Sequence, residues 1–229
     1  MRLDKFIGHT SDLSRRDIHR AIKRGEVMVN GAAAPSPSLS VSAQDQITLQ
    51  GRPLAAPTLR YFMLHKPAGV LSARTDAHQP CVLDLIDTPR KDTLQIVGRL
   101  DKDTTGLLLL TDDGQWNHRI TSPRSACAKV YEVATADVIT ADAVERFAKG
   151  ILLKNDSTPT RPATLELLGE RRARVTLQEG RYHQVKRMFA ATGNRVTELH
   201  RTGIGNIVLD PQLSPGDFRP LTAEEIAHV

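Results

Sequence analysis

The sequence has few cysteines, few aromatic residues and no long apolar run. Its 229 residues include 2 cysteines and 1 tryptophan, and aromatic residues make up 4% of the chain. Cys81 and Cys127 are far apart and lack the spacing of metal ligands, so we predict two unpaired thiols and no metal site. No apolar run approaches membrane-spanning length, and no early segment has the pattern of a secretory signal. We therefore expect a cytoplasmic protein that does not contact a membrane.

Positive charge is what the chain has in excess. It contains 31 lysines and arginines against 26 acidic residues, which gives a net charge of +5 and a pI of about 9.4. Such a balance suits a polyanionic partner, but many basic proteins bind no nucleic acid, so the distribution of the charge is more informative. The length allows one or two domains with a sizeable core.

Residues 1–52 are predicted to form a small separate unit. Apolar residues at helical spacing predict a first helix, and Ser14 is a suitable N-cap for a second helix that ends before Gly25. A strand at 27–29 and the turn signal that follows it predict a hairpin. Basic residues on the two helices could bind phosphates or could form an ordinary solvated face. They are Arg2, Lys5, Arg15, Arg16, Arg20, Lys23 and Arg24.

Residues 53–59 are predicted to link this unit to a larger domain at 60–229. The segment is rich in proline and small residues, which favours a semi-stiff connection without ladder hydrogen bonds. Beyond it, strand and helix patterns are mixed, which predicts an α+β domain. Strands are predicted at 61–66, 129–134, 163–168, 172–178, 195–201 and 204–209, and a helix at 142–149.

A short polar turn lies between an apolar run at 94–97 and four consecutive leucines at 107–110. Asp101 is in this turn, where two buried strands change direction, and charged loops on rigid strands often carry chemistry. The spacing of acidic residues from Asp101 onward partly matches a calcium loop. The leucines cannot curl around an ion, however, and they predict a buried strand instead. From the turn alone, Asp101 could cap the backbone as well as catalyse a reaction.

The residues around Asp101 resemble the signature of the ribosomal RNA pseudouridine synthases. The resemblance is carried by Gly98–Asp101, Thr104–Leu107 and Thr111–Gly114, and it is closest to the branch that acts on 16S ribosomal RNA, of the uridine-516 type. It implies that Asp101 is the catalytic aspartate of an enzyme that isomerises one uridine to pseudouridine. It also implies a catalytic domain with a mixed, mainly antiparallel sheet flanked by helices. The reaction needs no cofactor, and the partner would be 16S ribosomal RNA or a small-subunit assembly intermediate, bound by a monomer.

Further positions of the larger domain are interpreted with the help of this resemblance. Lys129 and Tyr131 share one face of a predicted strand, and in the family a tyrosine of a matching Lys-x-Tyr strand stacks on the target base. We therefore predict that Tyr131, although a strand tyrosine is often a core residue, stacks on a flipped uracil, an interaction worth ~1–3 kcal/mol per base. Leu199 would lie below the base, and Lys129 and Arg99 would contact RNA. Lys66, in another family motif, could be a strand-end cation or a substrate contact.

A second family motif, at 179–189, lies between a predicted strand and the helix that follows it. The family pairs its catalytic aspartate with a basic residue from this region, and we assign that role to Arg181, with Lys186 or Arg187 as alternatives. A cation beside Asp101 would keep the carboxylate ionised against the effect of burial. His183, Lys186 and Arg187 are predicted to contact RNA, and His183 could instead be a structural hydrogen bonder. No cysteine or serine nucleophile accompanies this histidine, so a catalytic triad is not predicted.

The N-terminal segment is similar to the RNA-binding domain named for ribosomal protein S4. The similarity is carried by Arg2–Ile7, Ser14–Arg15 and Gly25–Gly31, and it implies RNA binding by the basic residues of the two helices. The main alternative for the whole chain is a non-catalytic RNA-binding or ribosome-assembly protein. A metal nuclease built on the aspartates around the turn is a weaker third hypothesis.

Overall fold

The computed structural model of the chain describes residues 1–11, 13–42, 44–56, 58–122 and 124–227. The chain divides into two compact units, Met1–Leu59 and Arg60–Val229. Each unit has hydrophobic cores formed from its own residues. Cys81 and Cys127 are both free thiols. None of the helices in the described part of the chain combines the length and the apolar character needed to cross a bilayer.

The first unit has two helices and a four-stranded antiparallel sheet. Its elements are α1 (Leu3–Thr10), α2 (Arg15–Lys23), β1 (Val27–Val29), β2 (Ala32–Ala33), β3 (Ile47–Leu49) and β4 (Arg52–Leu54), with strand order β2-β1-β3-β4. Ser14 caps α2 as predicted, since its Oγ accepts a hydrogen bond from the Asp17 backbone N at 3.2 Å. Leu3, Phe6 and Ile18 join strand residues in one core, so the apolar side of each helix is buried.

The sheet of the first unit continues further along the chain than we predicted. β4 pairs with β3 across a tight turn at Gln50 and Gly51, both of which have positive φ values of 50° and 76°. Pro53 is tolerated because β4 is an edge strand of this sheet. The prediction that the linker at 53–59 lacks ladder pairing is therefore wrong for its first two residues, Pro53 and Leu54.

The second unit is built on a nine-stranded sheet. Its elements are β5 (Tyr61–Lys66), β6 (Gln95–Val97), β7 (Thr105–Thr111), α3 (Gly114–Thr121), β8 (Lys129–Thr135), α4 (Ala141–Lys149), β9 (Thr164–Gly169), β10 (Arg172–Leu177), α5 (Gln184–Ala191), β11 (Val196–Ile204), β12 (Ile207–Val208), β13 (Phe218–Pro220) and α6 (Ala223–Ala227). The main strand order is β13-β5-β7-β11-β8-β10-β9, with β6 on β7 and β12 on β11. Among the described strands, β7 and β11 form the one parallel pair. The predicted mixed, mainly antiparallel sheet is confirmed.

The leucine run forms a strand that is buried on both faces. Leu108 and Leu110 point into the larger core, whereas Leu107 and Leu109 pack in a second core together with Trp116. Alternate residues of a strand face opposite sides of the sheet, so a run without polar positions fits a strand that is covered on both sides. The Asp101 turn precedes this strand directly and is therefore attached to one of the most deeply buried parts of the unit.

The strand β11 occupies a central position that the sequence did not indicate. We predicted that 195–201 and 204–209 complete the sheet, but β11 runs continuously to Ile204 between β7 and β8. Gly106 permits this close approach, because its φ is +104° and an added Cβ would lie 2.3 Å from the Arg201 carbonyl oxygen. The parallel pairing brings the start of β7, and with it the Asp101 turn, against the middle of β11.

Candidate active site

A cavity of about 830 Å³ opens in the second unit where the Asp101 turn, β8, β11 and the start of α5 meet. Seven of the predicted site residues line it. They are Arg99, Asp101, Lys129, Tyr131, Arg181, His183 and Leu199. The topology thus brings together residues that are about a hundred positions apart in the sequence, as the catalytic hypothesis requires.

Asp101 is held by two basic side chains from the α5 region. The Lys186 Nζ donates to Asp101 Oδ2 at 3.0 Å and to Asp103 Oδ1 at 2.6 Å. The His183 Nε2 lies 3.3 Å from Asp101 Oδ1, and the side chain of Asp101 is 25% exposed. Burial lowers the pKa of Lys186, but its hydrogen bonds to Asp103 and Asp101 outweigh that effect, so the pKa is raised overall. The ammonium therefore stays charged near neutral pH.

The predicted pair between Arg181 and Asp101 is wrong. Arg181 lies in the turn before α5, and its guanidinium donates to Asp156 at 2.9 Å and to Glu179 at 3.3 Å. Lys186 is on the first turn of α5 itself and reaches Asp101 instead. We named Lys186 as an alternative, but the sequence alone gives no direction for either side chain. Arg181 still lines the cavity while it anchors the turn.

Arg187 binds the same carboxylate as Arg181, that of Asp156. Its Nη2 donates to Asp156 at 2.5 Å and to the Lys154 carbonyl at 2.6 Å. Hydrogen bonds from Arg187 and then Arg181 hold the pKa of Asp156 below its ordinary value. Both Lys186 and Arg187 have carboxylate partners inside the protein, so the RNA contacts expected of them stay predictions.

Tyr131 and Leu199 form an apolar part of the cavity wall. Tyr131 is 9% exposed and Leu199 is also buried. The two residues come from neighbouring strands, because Leu199 of β11 pairs with Val133 of β8, two residues beyond Tyr131. A planar ring and an aliphatic side chain in one wall can enclose a planar base.

The polar part of the wall includes Lys129, Arg99 and Thr104. Lys129 is buried, its Nζ donates to the Cys127 carbonyl at 3.0 Å, and burial lowers its pKa. It therefore belongs to the interior of the cavity rather than to an outer RNA-tracking surface, whereas Arg99 is exposed. The Thr104 hydroxyl is buried and has no hydrogen-bond partner within the ranges that the structure covers.

Comparison with known proteins identifies the family. A family model described as RNA pseudouridylate synthase matches residues 60–191, the segment that contains Asp101 and Lys186. The chain is 49% identical over 231 residues to ribosomal small subunit pseudouridine synthase A of Vibrio parahaemolyticus, covering 100% of this chain and 99% of the relative. The protein of the same name from Escherichia coli K12 is 49% identical over 230 residues, covering 100% of both. This chain belongs to the RNA pseudouridylate synthase family.

A solved structure agrees with this assignment. A pseudouridylate synthase crystal structure matches the chain with a TM-score of 0.73 and 45% identity, covering 100% of this chain and 99% of the other. The predicted resemblance, the catalytic-domain fold and the enzyme class are therefore confirmed. The alternative of a non-catalytic RNA-binding protein has no support in these comparisons.

Arg201 is a buried support of the synthase cavity that was not predicted from the sequence. It is 1% exposed, and its guanidinium donates to the carbonyls of Leu107 at 2.8 Å and Gly98 at 2.6 Å. The guanidinium carbon also lies 6.0 Å from the centroid of the Tyr131 ring, within cation–π range. The strand around it mixes polar and apolar residues, so no local pattern marked this arginine as buried. Arg201 thus ties β11 to β7, to the Asp101 turn and to the tyrosine.

Lys66 supports the same turn from β5. It is fully buried, and its Nζ donates to the carbonyls of Pro67, Lys102 and Thr104 at 2.9, 3.2 and 2.8 Å. Burial lowers its pKa to about 8, although the charges of nearby aspartates act in the opposite direction. This is a third role, distinct from the strand-end cation and the substrate contact considered above, and it fixes the backbone on both sides of Asp103.

The other aspartates of the family signature serve the fold of the synthase. Asp112 pairs with Arg60 at 2.8 Å, and Asp113 caps α3 and accepts a hydrogen bond from the Tyr61 hydroxyl at 2.9 Å. Both follow β7, at the opposite end of that strand from Asp101. No group of three or more potential metal ligands occurs among the residues that the structure describes. The nuclease hypothesis, which needs these aspartates together, is therefore wrong.

The basic group of the first unit is mostly on the surface. Lys5 is half-buried, and the other six members are exposed. Arg2 pairs with Asp4 at 2.7 Å and Arg20 with Asp17 at 3.0 Å, so part of the charge is balanced locally. The exposed arginines and lysine of α2 are compatible with the predicted contacts to RNA phosphates.

Proposed function

We propose that this synthase isomerises one uridine of 16S ribosomal RNA, of the uridine-516 class. The relatives named as ribosomal small subunit enzymes match over their full lengths, which supports the same substrate class here. The bound form would be the ribosomal RNA or a small-subunit assembly intermediate. A ribosomal substrate also implies a cytoplasmic location, and the monomeric state stays a prediction.

In the proposed reaction the N1–C1′ bond of uridine breaks, the detached uracil turns over, and C5 bonds to C1′. The proton on C5 is then released. Asp101 acts either by adding to the nucleoside or by removing a ribose proton, and both routes require an ionised carboxylate. The Lys186 ammonium lies 3.0 Å from the carboxylate and places a positive charge beside it. The positions of Lys186 and His183, one at each carboxylate oxygen, also fix the direction of Asp101.

The target base must leave its stack before Asp101 can reach it. Unstacking costs a few kcal/mol, and stacking on an aromatic ring recovers about 1–3 kcal/mol per base. Tyr131 is an aromatic ring in the cavity wall, and Leu199 offers an apolar surface from the next strand. The cation–π contact of Arg201 restricts the position of the Tyr131 ring. We therefore assign the uracil position to the space beside these residues.

The observation that carries this proposal is the Asp101 carboxylate, held by Lys186 and His183 in a cavity lined by Tyr131. We expect the Asp101→Asn variant to bind 16S ribosomal RNA and to release no tritium from RNA labelled at uridine C5. The matched control is Asp103→Asn, because Asp103 shares Lys186 but does not line the cavity. Appreciable tritium release by a clean Asp101→Asn preparation would reject the assignment.

A further inference from the structure

We infer that the exposed ring of Tyr182, stacked on His183, is a second base-binding subsite, which takes the nucleobase next to the target uridine. This inference rests on the proposed function, since it takes the Asp101 cavity as the place where the target uridine reacts. The ligand class is a planar nucleobase in unpaired RNA, bound by stacking and without a strong preference for its identity.

The first support is the geometry of the Tyr182 ring. Its side chain is the most exposed large apolar group in the described part of the chain, at 77%. One face lies on the His183 imidazole, with ring centroids 3.8 Å apart and planes inclined by 19°. The exposure therefore belongs mainly to the opposite face. Both residues line the cavity that contains Asp101, so this face is at its rim.

The second support is the rigidity of the turn that carries the ring. The Tyr182 carbonyl accepts a hydrogen bond from Arg187 at 3.3 Å, and Asp156 holds both Arg187 and Arg181. His183 has a φ of 48°, a left-handed conformation that is uncommon for residues other than glycine and that the hydrogen bonds around this turn hold in place. An exposed aromatic ring on a fixed backbone loses little conformational freedom when a ligand stacks on it.

The third support is that the base beside a flipped uridine needs a new stacking partner at this rim. When a uridine leaves the stack, its neighbour loses a stacking partner, and proteins often supply an aromatic side chain in its place. Arg99 is exposed on the wall of the same cavity and can balance the charge of an adjacent phosphate. A base on Tyr182 would extend the stack of phenol on imidazole, and the edge of that imidazole faces the catalytic carboxylate, because His183 Nε2 lies 3.3 Å from Asp101 Oδ1. Binding of the neighbouring nucleotide would thereby restrict His183 against Asp101.

The test uses the full-length protein and a 16S ribosomal RNA fragment with 2-aminopurine on either side of the uridine that pseudouridine mapping identifies. Stacking quenches 2-aminopurine fluorescence. The Asp101→Asn background keeps the substrate unreacted while Tyr182→Leu and Tyr182→Phe are compared. We expect quenching at one flanking position with tyrosine or phenylalanine and its loss with leucine. We also expect Tyr182→Leu to raise the Kd roughly 5- to 150-fold, the range that corresponds to losing one stacked base.

The controls separate stacking from general damage. Leu168→Ala changes another exposed apolar side chain, on β9 and outside the cavity, and it should alter neither quenching nor Kd. Circular dichroism checks that each variant is folded. Equal quenching and affinity for Tyr182→Leu and the parent would overturn the inference, as would equal losses in Tyr182→Phe and Tyr182→Leu. Tritium release by Asp101→Asn would instead overturn the catalytic assignment, which the fluorescence does not measure.

Discussion

The positive charges of the two units are used in different ways. On α2 the basic side chains are exposed and repeat at helical spacing, as in Arg16, Arg20 and Lys23. In the second unit several cations at the site are buried or half-buried, and Lys66 and Arg201 donate to backbone carbonyls. Exposed cations can neutralise phosphates without preorganisation, whereas a buried cation must have its donors satisfied by the fold. The same residue types are therefore predicted to bind RNA in the first unit, and they build the site in the second.

The largest effect is expected from the cation nearest the proposed chemistry. Lys186→Gln removes the charge beside Asp101, and we expect kcat to fall by about 100-fold, by analogy with the loss of one electrostatic contact in other active sites. Arg181→Gln should reduce kcat less, because Arg181 contacts Asp156 and Glu179 rather than Asp101. Single-turnover tritium release measures both. If Arg181→Gln is the more damaging change, the original assignment of Arg181 as the partner of Asp101 regains support.

A smaller, pH-dependent effect is expected from Lys66. Burial lowers the pKa of its ammonium to about 8 in the folded protein, from an ordinary value of 10.5. Between these values the unfolded chain binds more protons, so the free energy of unfolding should rise with pH, by up to about 3 kcal/mol across the window. Urea unfolding of the parent and of Lys66→Met across this pH range measures the difference between them.

Lys66→Met lacks the titrating group, so its curve should lack this rise. Parallel curves for the two proteins would show that Lys66 is not titrating there. If the variant does not fold, an NMR titration of the Lys66 ammonium in the intact protein gives the same pKa directly.

The smallest effect is expected on α2. Arg16→Gln combined with Lys23→Gln removes two exposed charges, and the slope of log K against log salt should fall by roughly 1.5, because each phosphate contact in single-stranded RNA contributes ~0.7. The stability of the protein should change little, since both side chains are on the surface. RNA binding measured at a series of salt concentrations gives the slope. An equal change from a matched pair on α4, Arg146→Gln with Lys149→Gln, would mean that total charge rather than its position sets the slope.

Local sequence patterns predicted the parts of this molecule that local physics determines. Ser14 begins α2 because its hydroxyl accepts a backbone hydrogen bond three residues later, and the leucines of β7 could only form a buried strand. The position of Asp101 followed from the same strand and from a long family signature. These features depend on neighbours in the sequence or on a motif of fixed spacing.

The rest depended on contacts between distant segments. The sequence alone does not distinguish Arg181 from Lys186 as the partner of Asp101, because both are basic and lie close together. The direction of α5 after its turn places Lys186, and not Arg181, beside Asp101. The roles of Lys66 and Arg201 appear only when β5, β7 and β11 are assembled, because their partners are carbonyl groups of other segments. No local pattern reports which backbone oxygens a long side chain will reach.

The parallel pairing of β7 with β11 has a consequence for how the protein is made. During synthesis, β7 emerges with β5 as the partner of one edge and with β6 as the partner of the end of the other edge. The start of that second edge, at Thr105 and Gly106, has no partner until α5 and β11 have also left the ribosome. Until then a leucine-rich strand presents a partly open edge, the kind of surface on which nascent chains misassociate. Arg201 and Lys186 are also among the later residues to be translated, so the carboxylate at Asp101 gains its surroundings near the end of translation. A chain truncated before β11 should be both inactive and prone to aggregate.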